Sequence, residues 1–262
     1  MLVAALLIGS AACAPKVSLD LPAGTGTPLS DVVAAEQAAR ASCRRHPAVT
    51  ADLRLSGRID GERVRGTLQV GVATDAMRLE GVAPFGAPVF VLAASPGSAV
   101  LLLPRETAVA RGASASELLD AAVGVSLSPA DLLAMVSGCG VSDWQVTGGA
   151  TFGDTWTRLD LDQGRTLWLR GTAGASPLLV AAEDAHWQVE YTRANADWPS
   201  AIRLRPSRRA GSQAGQTDAV FAVDAPESMA ALPPEALHVE VPQGARELSL
   251  AELRRSRGLT ER

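Results

Sequence analysis

Three cysteines are the residues of this sequence whose chemistry can be inferred from their surroundings. Cys13 directly follows an uncharged apolar run from Leu2 to Ala12, whereas Cys43 and Cys139 lie far from it and from each other. A thiol can carry an acyl group, close a disulfide or bind a metal ion, and its surroundings decide among these. The apolar run is too short to span a bilayer core of about 30 Å, but it has the length of a signal-peptide core.

The residues just before Cys13 favour lipid attachment. Ser10, Ala11 and Ala12 lead into the cysteine, and this resembles the lipobox of bacterial lipoproteins, where signal peptidase II cuts before a cysteine that carries the lipid. The resemblance predicts a signal peptide over residues 1–12 and a mature chain that begins at lipidated Cys13. Two or more acyl chains give a stable membrane anchor, because each buried methylene contributes about 0.8 kcal/mol.

Two further features concern this anchor. Ala14 follows the cysteine, and by the sorting rule of enterobacterial lipoproteins the absence of aspartate there predicts the outer membrane, with the protein facing the periplasm. Only Met1 precedes the apolar run, so the basic residues that usually begin a signal peptide do not appear before it. We therefore expect the translation start to lie a few codons upstream. The alternatives are an ordinary cleaved signal peptide and a short buried helix.

Cys43 and Cys139 form an even pair once Cys13 is assigned to the anchor. An exported protein folds in an oxidising compartment, where such a pair predicts a disulfide. Two free thiols are the alternative. No histidine or cysteine stands at metal-ligand spacing from either residue, so we predict no metal site.

The sequence contains no recognisable catalytic motif. Its three histidines are isolated, and nucleophile elbows, zinc-protease motifs and nucleotide-binding loops do not occur. Asp143 with Asp154, or Glu183 with Asp184, are acidic pairs near turns, where such residues are usually solvated or cap an element. The net charge of -4 without a block of like charge gives no footprint for nucleic acid. We therefore predict no enzyme, no catalytic residues and no cofactor.

The chain after Cys13 changes its pattern several times. Residues 13–28 are rich in proline, glycine and threonine and predict a flexible tether, and residues 29–45 predict a helix capped by Ser30. Strands with alternating apolar residues follow, starting at Leu53 with a hairpin turn at Asp60-Gly61. The predicted strands cover residues 53–59, 64–72, 77–80, 89–94, 99–103, 157–161, 167–169, 187–191, 202–204 and 221–223.

Helical patterns interrupt the strands once. Ser114 or Ser116 begins a helix to residue 123, and Ser128-Pro129 begins a second one that ends before Gly138. Residues 207–216 predict a long hairpin loop, and residues 250–257 a last helix. An antiparallel meander with one wet and one dry face follows from the alternation, in a single domain over residues 29–262.

The order of these elements resembles the outer-membrane lipoprotein receptor LolB and its soluble partner LolA. The local motifs are Met77-Arg78-Leu79-Glu80-Gly81, the loop Pro84-Phe85-Gly86, and the helical pair that ends in Ser137-Gly138. The resemblance implies a mainly β fold with α-helices, a half-open antiparallel β-barrel of about 10–11 strands with an N-terminal helix and a two-helix lid. LolB-like proteins carry a Pro-Leu-Gly loop whose leucine protrudes and helps to insert lipoproteins into the membrane, and Phe85 occupies that position here. The alternative is that Phe85 packs into the core.

The resemblance also implies a role. A curled sheet with its dry face inward can hold acyl chains, which are costly to expose to water. We expect an outer-membrane lipoprotein, a monomer, that binds acyl chains or lipoproteins, accepts them from a periplasmic carrier protein and inserts them into the membrane. The residues expected to line the cavity and lid are Leu55, Leu68, Val70, Leu79, Leu118, Leu119, Leu132, Leu133, Met135 and Val136.

Three alternatives remain at this stage. The apolar helix faces can belong to an ordinary filled core, without a ligand. The same fold can serve as a structural or assembly lipoprotein, which binds other envelope proteins as a scaffold. An envelope hydrolase would need a clustered acid, base and nucleophile, and the sequence offers none.

Overall fold

The alternating residues between positions 48 and 73 form the longest hairpin of the protein, at the centre of a single sheet. The structure is a computed structural model that describes residues 19–43, 46–59, 61–83, 88–123, 126–171, 176–185, 187–193, 198–207 and 217–256. Apolar and polar residues alternate along both strands, so one face of the hairpin packs inward and the other faces solvent.

Fifteen described strands make up the sheet. They are β1 (Thr27–Pro28), β2 (Ala48–Ile59), β3 (Glu62–Ala73), β4 (Met77–Val82), β5 (Pro88–Ser95), β6 (Ser98–Leu103), β7 (Ala108–Gly112), β8 (Val146–Phe152), β9 (Trp156–Leu161), β10 (Thr166–Arg170), β11 (Leu178–Glu183), β12 (Trp187–Arg193), β13 (Pro199–Pro206), β14 (Asp218–Met229) and β15 (Arg246–Leu248).

The sheet consists of two meanders. Strands β2 to β7 pair in sequence order, and so do strands β8 to β14. Strand β14 then pairs antiparallel with β2 and joins the two meanders, while β15 adds to β7 as a parallel edge strand. The result is a large, curled and open antiparallel sheet, which confirms the predicted half-open barrel. The strand number exceeds the predicted 10–11, because β1, β7, β8, β11 and β15 are short or rich in glycine and alanine and show little alternation.

Four described helices accompany the sheet, namely α1 (Val32–Ser42), α2 (Ala115–Val123), α3 (Pro129–Val136) and α4 (Leu250–Ser256). Helix α1 begins after Asp31, whose side chain accepts a hydrogen bond from the Ala34 amide, so the prediction that Ser30 caps it was wrong. Ser114 and Ser128 accept the corresponding bonds at α2 and α3, as predicted. In both cases a short polar side chain satisfies an amide that has no partner within the helix.

The concave face of the sheet carries the core in two connected clusters. Helices α2, α3 and α4 pack on the first meander, around buried Leu53, Val72 and Met77. Helix α1 contributes Ala39 to a second cluster on the other meander. Met135 of α3 contacts both clusters, so this helix lies over the junction of the two meanders.

The residues just before β1 lie on the convex face. Leu21 is buried in a cluster with Trp168, and the backbone of Leu19 bonds to Glu190 and Arg205. This segment was predicted as the end of a flexible tether. In the described part of the chain it packs against the sheet, because Leu21 finds an apolar site between the polar residues of β10 to β13.

Candidate functional site

The two strands of the central hairpin define two ends of the concave face. We call the end at Ala48 and Ala73 the closed end, and the end at the Gly61 turn the open end. Every inward-facing residue of this hairpin between Val49 and Ile59 on β2, and between Val64 and Val72 on β3, is apolar or glycine. The hairpin therefore presents one continuous apolar surface that runs from the closed to the open end.

Six of the ten predicted lining residues belong to the buried core. Each has at most 9% of its surface exposed and packs among other apolar side chains, so together they fill the space under the helices. These six are Val70, Leu79, Leu118, Leu132, Leu133 and Val136. At these six positions the apolar side chains of the helices and strands belong to the ordinary core, which is one of the alternatives stated above.

The other four predicted lining residues are only partly buried. Leu55 of β2 lies towards the open end, and Leu68 of β3 pairs with Leu53 midway along the hairpin. Leu119 and Met135 are on α2 and α3. Phe90, Phe221 and Val223 share this partial burial and pack against the same core, although the sequence analysis did not include them in the lining. Their inward positions in β5 and β14 were the signal that could have identified them.

Two glycines shape the open end. A Cβ atom added at Gly66 would meet no atom within 4 Å, so open space lies in front of this inward position of β3. Gly81 of β4 has the opposite role, because a Cβ atom there would collide with the ring of Phe90 on the neighbouring strand. The absence of a side chain at Gly81 thus lets the Phe90 ring lie across β4.

The closed end is held by a cross-link. Cys43, after α1, and Cys139, after α3, form a disulfide with 4.9 Å between their Cα atoms. A cleft of about 130 Å³ beside it is lined by both cysteines and by Leu133 and Trp144. The disulfide connects the helix of the second meander to the helix that covers the junction, so both are fixed at this end.

A hydrogen bond supports the same region. The phenolic oxygen of Tyr191 on β12 accepts a bond of 3.1 Å from the amide of Gly140, next to the disulfide. Complete burial raises the pKa of this phenol well above its ordinary value, and the bond from Gly140 opposes the rise only in part. Tyr191 is therefore a neutral, structural group at physiological pH.

The predicted lipid attachment and insertion sites lie outside the described residues. These are Cys13 and the loop Pro84, Phe85 and Gly86. The strands on either side of the loop are described, and their terminal residues Val82 and Pro88 pair with each other near the open end. The assignments at Cys13 and Phe85 therefore stay predictions.

Within the described ranges, no group of three or more histidine, cysteine, aspartate or glutamate side chains is placed to hold a metal ion. In the same part of the chain, no helix is long and apolar enough to cross a bilayer.

The curled sheet, the covering helices and the apolar concave face define a LolA-like fold. A LolA-superfamily protein from Nitrosomonas europaea superposes with a TM-score of 0.51 at 12% identity, over 78% of this chain and 95% of the other. A DUF1329-family protein from Desulfovibrio piger aligns with a TM-score of 0.49 at 12% identity, over 79% of this chain and 97% of the other. No protein-family model matches the chain, and no curated protein is significantly similar to it in sequence.

Proposed function

We propose that the protein is a non-catalytic, lipid-binding lipoprotein of the bacterial outer membrane, anchored through Cys13 and facing the periplasm. In this proposal it holds acyl chains against the open end of its concave face. The observation that carries the proposal is the set of partly exposed apolar side chains there, with Leu55, Leu68 and Phe221 around the open space at Gly66.

Acyl chains fit this surface because it is aliphatic, concave and incompletely filled. Each methylene that leaves water contributes about 0.8 kcal/mol to binding. The apolar side chains already line a groove, so contact with a ligand costs them little additional free energy. The buried core at the closed end supplies a rigid base, so a bound chain would meet a preformed surface.

The finer part of the proposal is that the ligands are lipoproteins. The shared fold of the LolA-superfamily neighbour and the resemblance to LolB support a role in receiving lipoproteins from a periplasmic carrier and inserting them into the membrane. Phe85 would act at the membrane in that role. Changing Phe85 to glutamate is then expected to reduce incorporation of a lipoprotein into liposomes while acyl binding persists.

The acyl site is tested by filling it. In the full chain carrying Cys13→Ser, the substitution Gly66→Leu places a side chain in the open space, without the backbone strain of a positive φ angle. We expect it to displace about two methylene groups of a fluorescent fatty acid and to weaken binding about tenfold. Titration of the probe measures this effect.

Gly148→Leu is the matched control. Gly148 is also a strand glycine with no atom within 4 Å of an added Cβ, but it pairs with Asp160 and shares the convex side of the sheet. The control should bind the probe like the parent. Absence of saturable binding in the parent, or equal binding by both variants, would contradict the acyl site and favour a protein-binding scaffold.

A further inference from the structure

The outer face of the open end carries a group of arginines that the acyl site does not use. Arg58 on β2 and Arg63 and Arg65 on β3 are exposed and point to the convex side, opposite the apolar concave surface. Arg58 and Arg63 are direct cross-strand partners, and Arg65 lies two residues further along the same face of β3. Strand geometry thus places the Cβ atoms of the three arginines about 5–7 Å apart in successive steps.

None of these three arginines forms an ion pair within 4 Å among the described residues, although Asp218 of β14, which is bonded to Arg203, is the direct cross-strand neighbour of Arg58. Within the same part of the chain, their one hydrogen bond runs from Arg58 to the carbonyl oxygen of Gly61, at 2.9 Å. Six arginines elsewhere on the sheet are instead ion-paired with acidic side chains. Examples are Arg54 with Asp224, Arg78 with Glu80, Arg111 with Glu247, Arg158 with Asp160, Arg203 with Asp218 and Arg205 with Glu190.

Directly opposed like charges destabilise a strand pair. The pairing of Arg58 with Arg63 is therefore unfavourable for the stability of the fold itself. Their acidic neighbour on β14, Asp218, is already bound by Arg203, so the group keeps a net positive charge that is suited to an external anion. Glu62 at the turn is exposed and is the nearest acidic residue among the described residues of β2 and β3 that has no arginine partner. It does not face the arginines, because it lies on the concave side with its cross-strand neighbour Ile59.

The arginines surround a cleft. A depression of about 400 Å³ lies between them, and its other walls come from Ser56, Val220 and the ion pair of Arg203 with Asp218. Asp218 holds the Arg203 guanidinium in two bonds of 2.7 and 2.9 Å, so the pair forms a nearly neutral, fixed wall. The positive charge of the cleft therefore comes from Arg58, Arg63 and Arg65.

The tip of the hairpin that carries this cleft belongs to the open end of the sheet. On one side β14 pairs with β2 as far as Arg58, and on the other side the described ladder of β3 with β4 runs from Thr67 to Val72. Ile59 and Val64 lie on the concave side of this tip, and the arginines lie on the convex side. An element with apolar residues on one face and arginines on the other matches a membrane interface, where phosphates lie above acyl chains.

We propose that Arg58, Arg63 and Arg65 bind the phosphate groups of anionic phospholipids and hold the open end of the barrel against the membrane surface. Guanidinium groups bind phosphate through paired, charge-assisted hydrogen bonds, and three of them can engage one or two headgroups. The inference rests on the proposed function. It places the acyl-binding end of the barrel at the membrane surface, which the acyl ligands must reach.

The experiment measures vesicle binding. The full chain carrying Cys13→Ser is sedimented with vesicles of phosphatidylcholine alone or mixed with phosphatidylglycerol. Replacing all three arginines by glutamine should weaken binding to the mixed vesicles about a hundredfold, at about fivefold per arginine, with little effect on phosphatidylcholine. High salt should remove most of the difference, because the contacts are exposed.

The control removes the same charge elsewhere. The triple variant Arg54→Gln, Arg111→Gln and Arg158→Gln breaks ion pairs of the sheet and should weaken vesicle binding only a few-fold. Equal losses in both triple variants would overturn the site, since net charge would then explain them. Unchanged vesicle binding in the Arg58, Arg63 and Arg65 variant would overturn it as well.

Two further arms separate this inference from the acyl site. The triple variant should bind the fluorescent fatty acid like the parent, and a loss of that binding would overturn the assignment to the convex face. Gly66→Leu should retain binding to phosphatidylglycerol vesicles even if the acyl site is disproved. Inorganic phosphate at millimolar concentration should compete only weakly, and complete competition would identify a small-anion site instead.

Discussion

The closed and open ends of the β2–β3 hairpin have the same sequence pattern and different packing. At the closed end, Val49 and Val72 are almost fully buried under the helices, and so is Leu53 midway along β2. Leu68, the cross-strand partner of Leu53, and Leu55, nearer the open end, continue the alternation but stay partly exposed, and Gly66 leaves open space. The alternation of a strand therefore determines which face is apolar, whereas the neighbouring elements determine whether that face is core or surface.

This difference assigns separate tasks to the two ends. A filled, cross-linked end gives stability, and an unfilled apolar end keeps surface available for a ligand. Substitutions at the closed end should therefore change the free energy of unfolding, and substitutions at the open end should change binding. The predictions below test this division.

Loss of the disulfide should have the largest effect. The bond between Cys43 and Cys139 closes a loop with a sequence separation of 96, so replacing both cysteines by serine should lower the free energy of unfolding by about 4–5 kcal/mol in the chain-entropy model. Urea unfolding of the oxidised parent and the double variant measures the change. The parent in reducing agent is the control and should behave like the variant; a difference below about 1 kcal/mol would show that the closed end does not depend on the bond.

The second prediction compares two leucines of β2. Leu53→Ala removes a side chain that is 1% exposed and should cost about 3 kcal/mol, through lost burial and the cavity left behind. Leu55→Ala removes a partly exposed side chain two residues along the same face and should cost under about 1 kcal/mol. Urea unfolding tests both, and equal costs would show that the open end is packed as tightly as the closed end.

The third prediction concerns Tyr191 and depends on pH. Tyr191→Phe leaves the Gly140 amide without its partner and should cost about 1–2 kcal/mol at neutral pH. Because the pKa of the phenol is raised on folding, its contribution is present below the ordinary pKa of 10.0 and is lost as pH rises above it. The parent should therefore lose stability in alkali while the variant loses less. Unfolding at increasing pH tests this, and parallel curves would contradict the buried neutral phenol.

Much of the fold could be predicted from the sequence because strong local signals define it. The alternation of β2 and β3, the hairpin turn at Gly61 and the Ser128-Pro129 start of α3 each depend on residues close in sequence. Strand β8, with Gly148 and Gly149, shows little alternation and is part of the sheet through its pairing with β9. Because a glycine has no side chain that would mark the apolar face, the alternation pattern does not reveal such a strand.

The candidate site was predicted in part for the same reason. Alternation and helical spacing identified Leu55, Leu68 and Met135 as inward-facing apolar residues, and the structure puts them at the partly filled region. The same patterns also selected Leu118 and Val136, which are completely buried. The arginine cleft was not predicted, because its charge appears only when Arg58 and Arg63 are paired across two strands.

The pairing of β14 with β2 also has a consequence for how the chain folds. This ladder joins residues that are 160 to 181 positions apart, from Asp218 with Arg58 to Met229 with Ala48. Contacts of such high sequence separation require a large loop-closure entropy and slow the folding of a β-protein. Until residues 218–229 have left the ribosome and paired with β2 as strand β14, one edge of β2 has no partner strand and can pair with another chain. A truncation before Asp218 should therefore aggregate, although it retains the complete first meander.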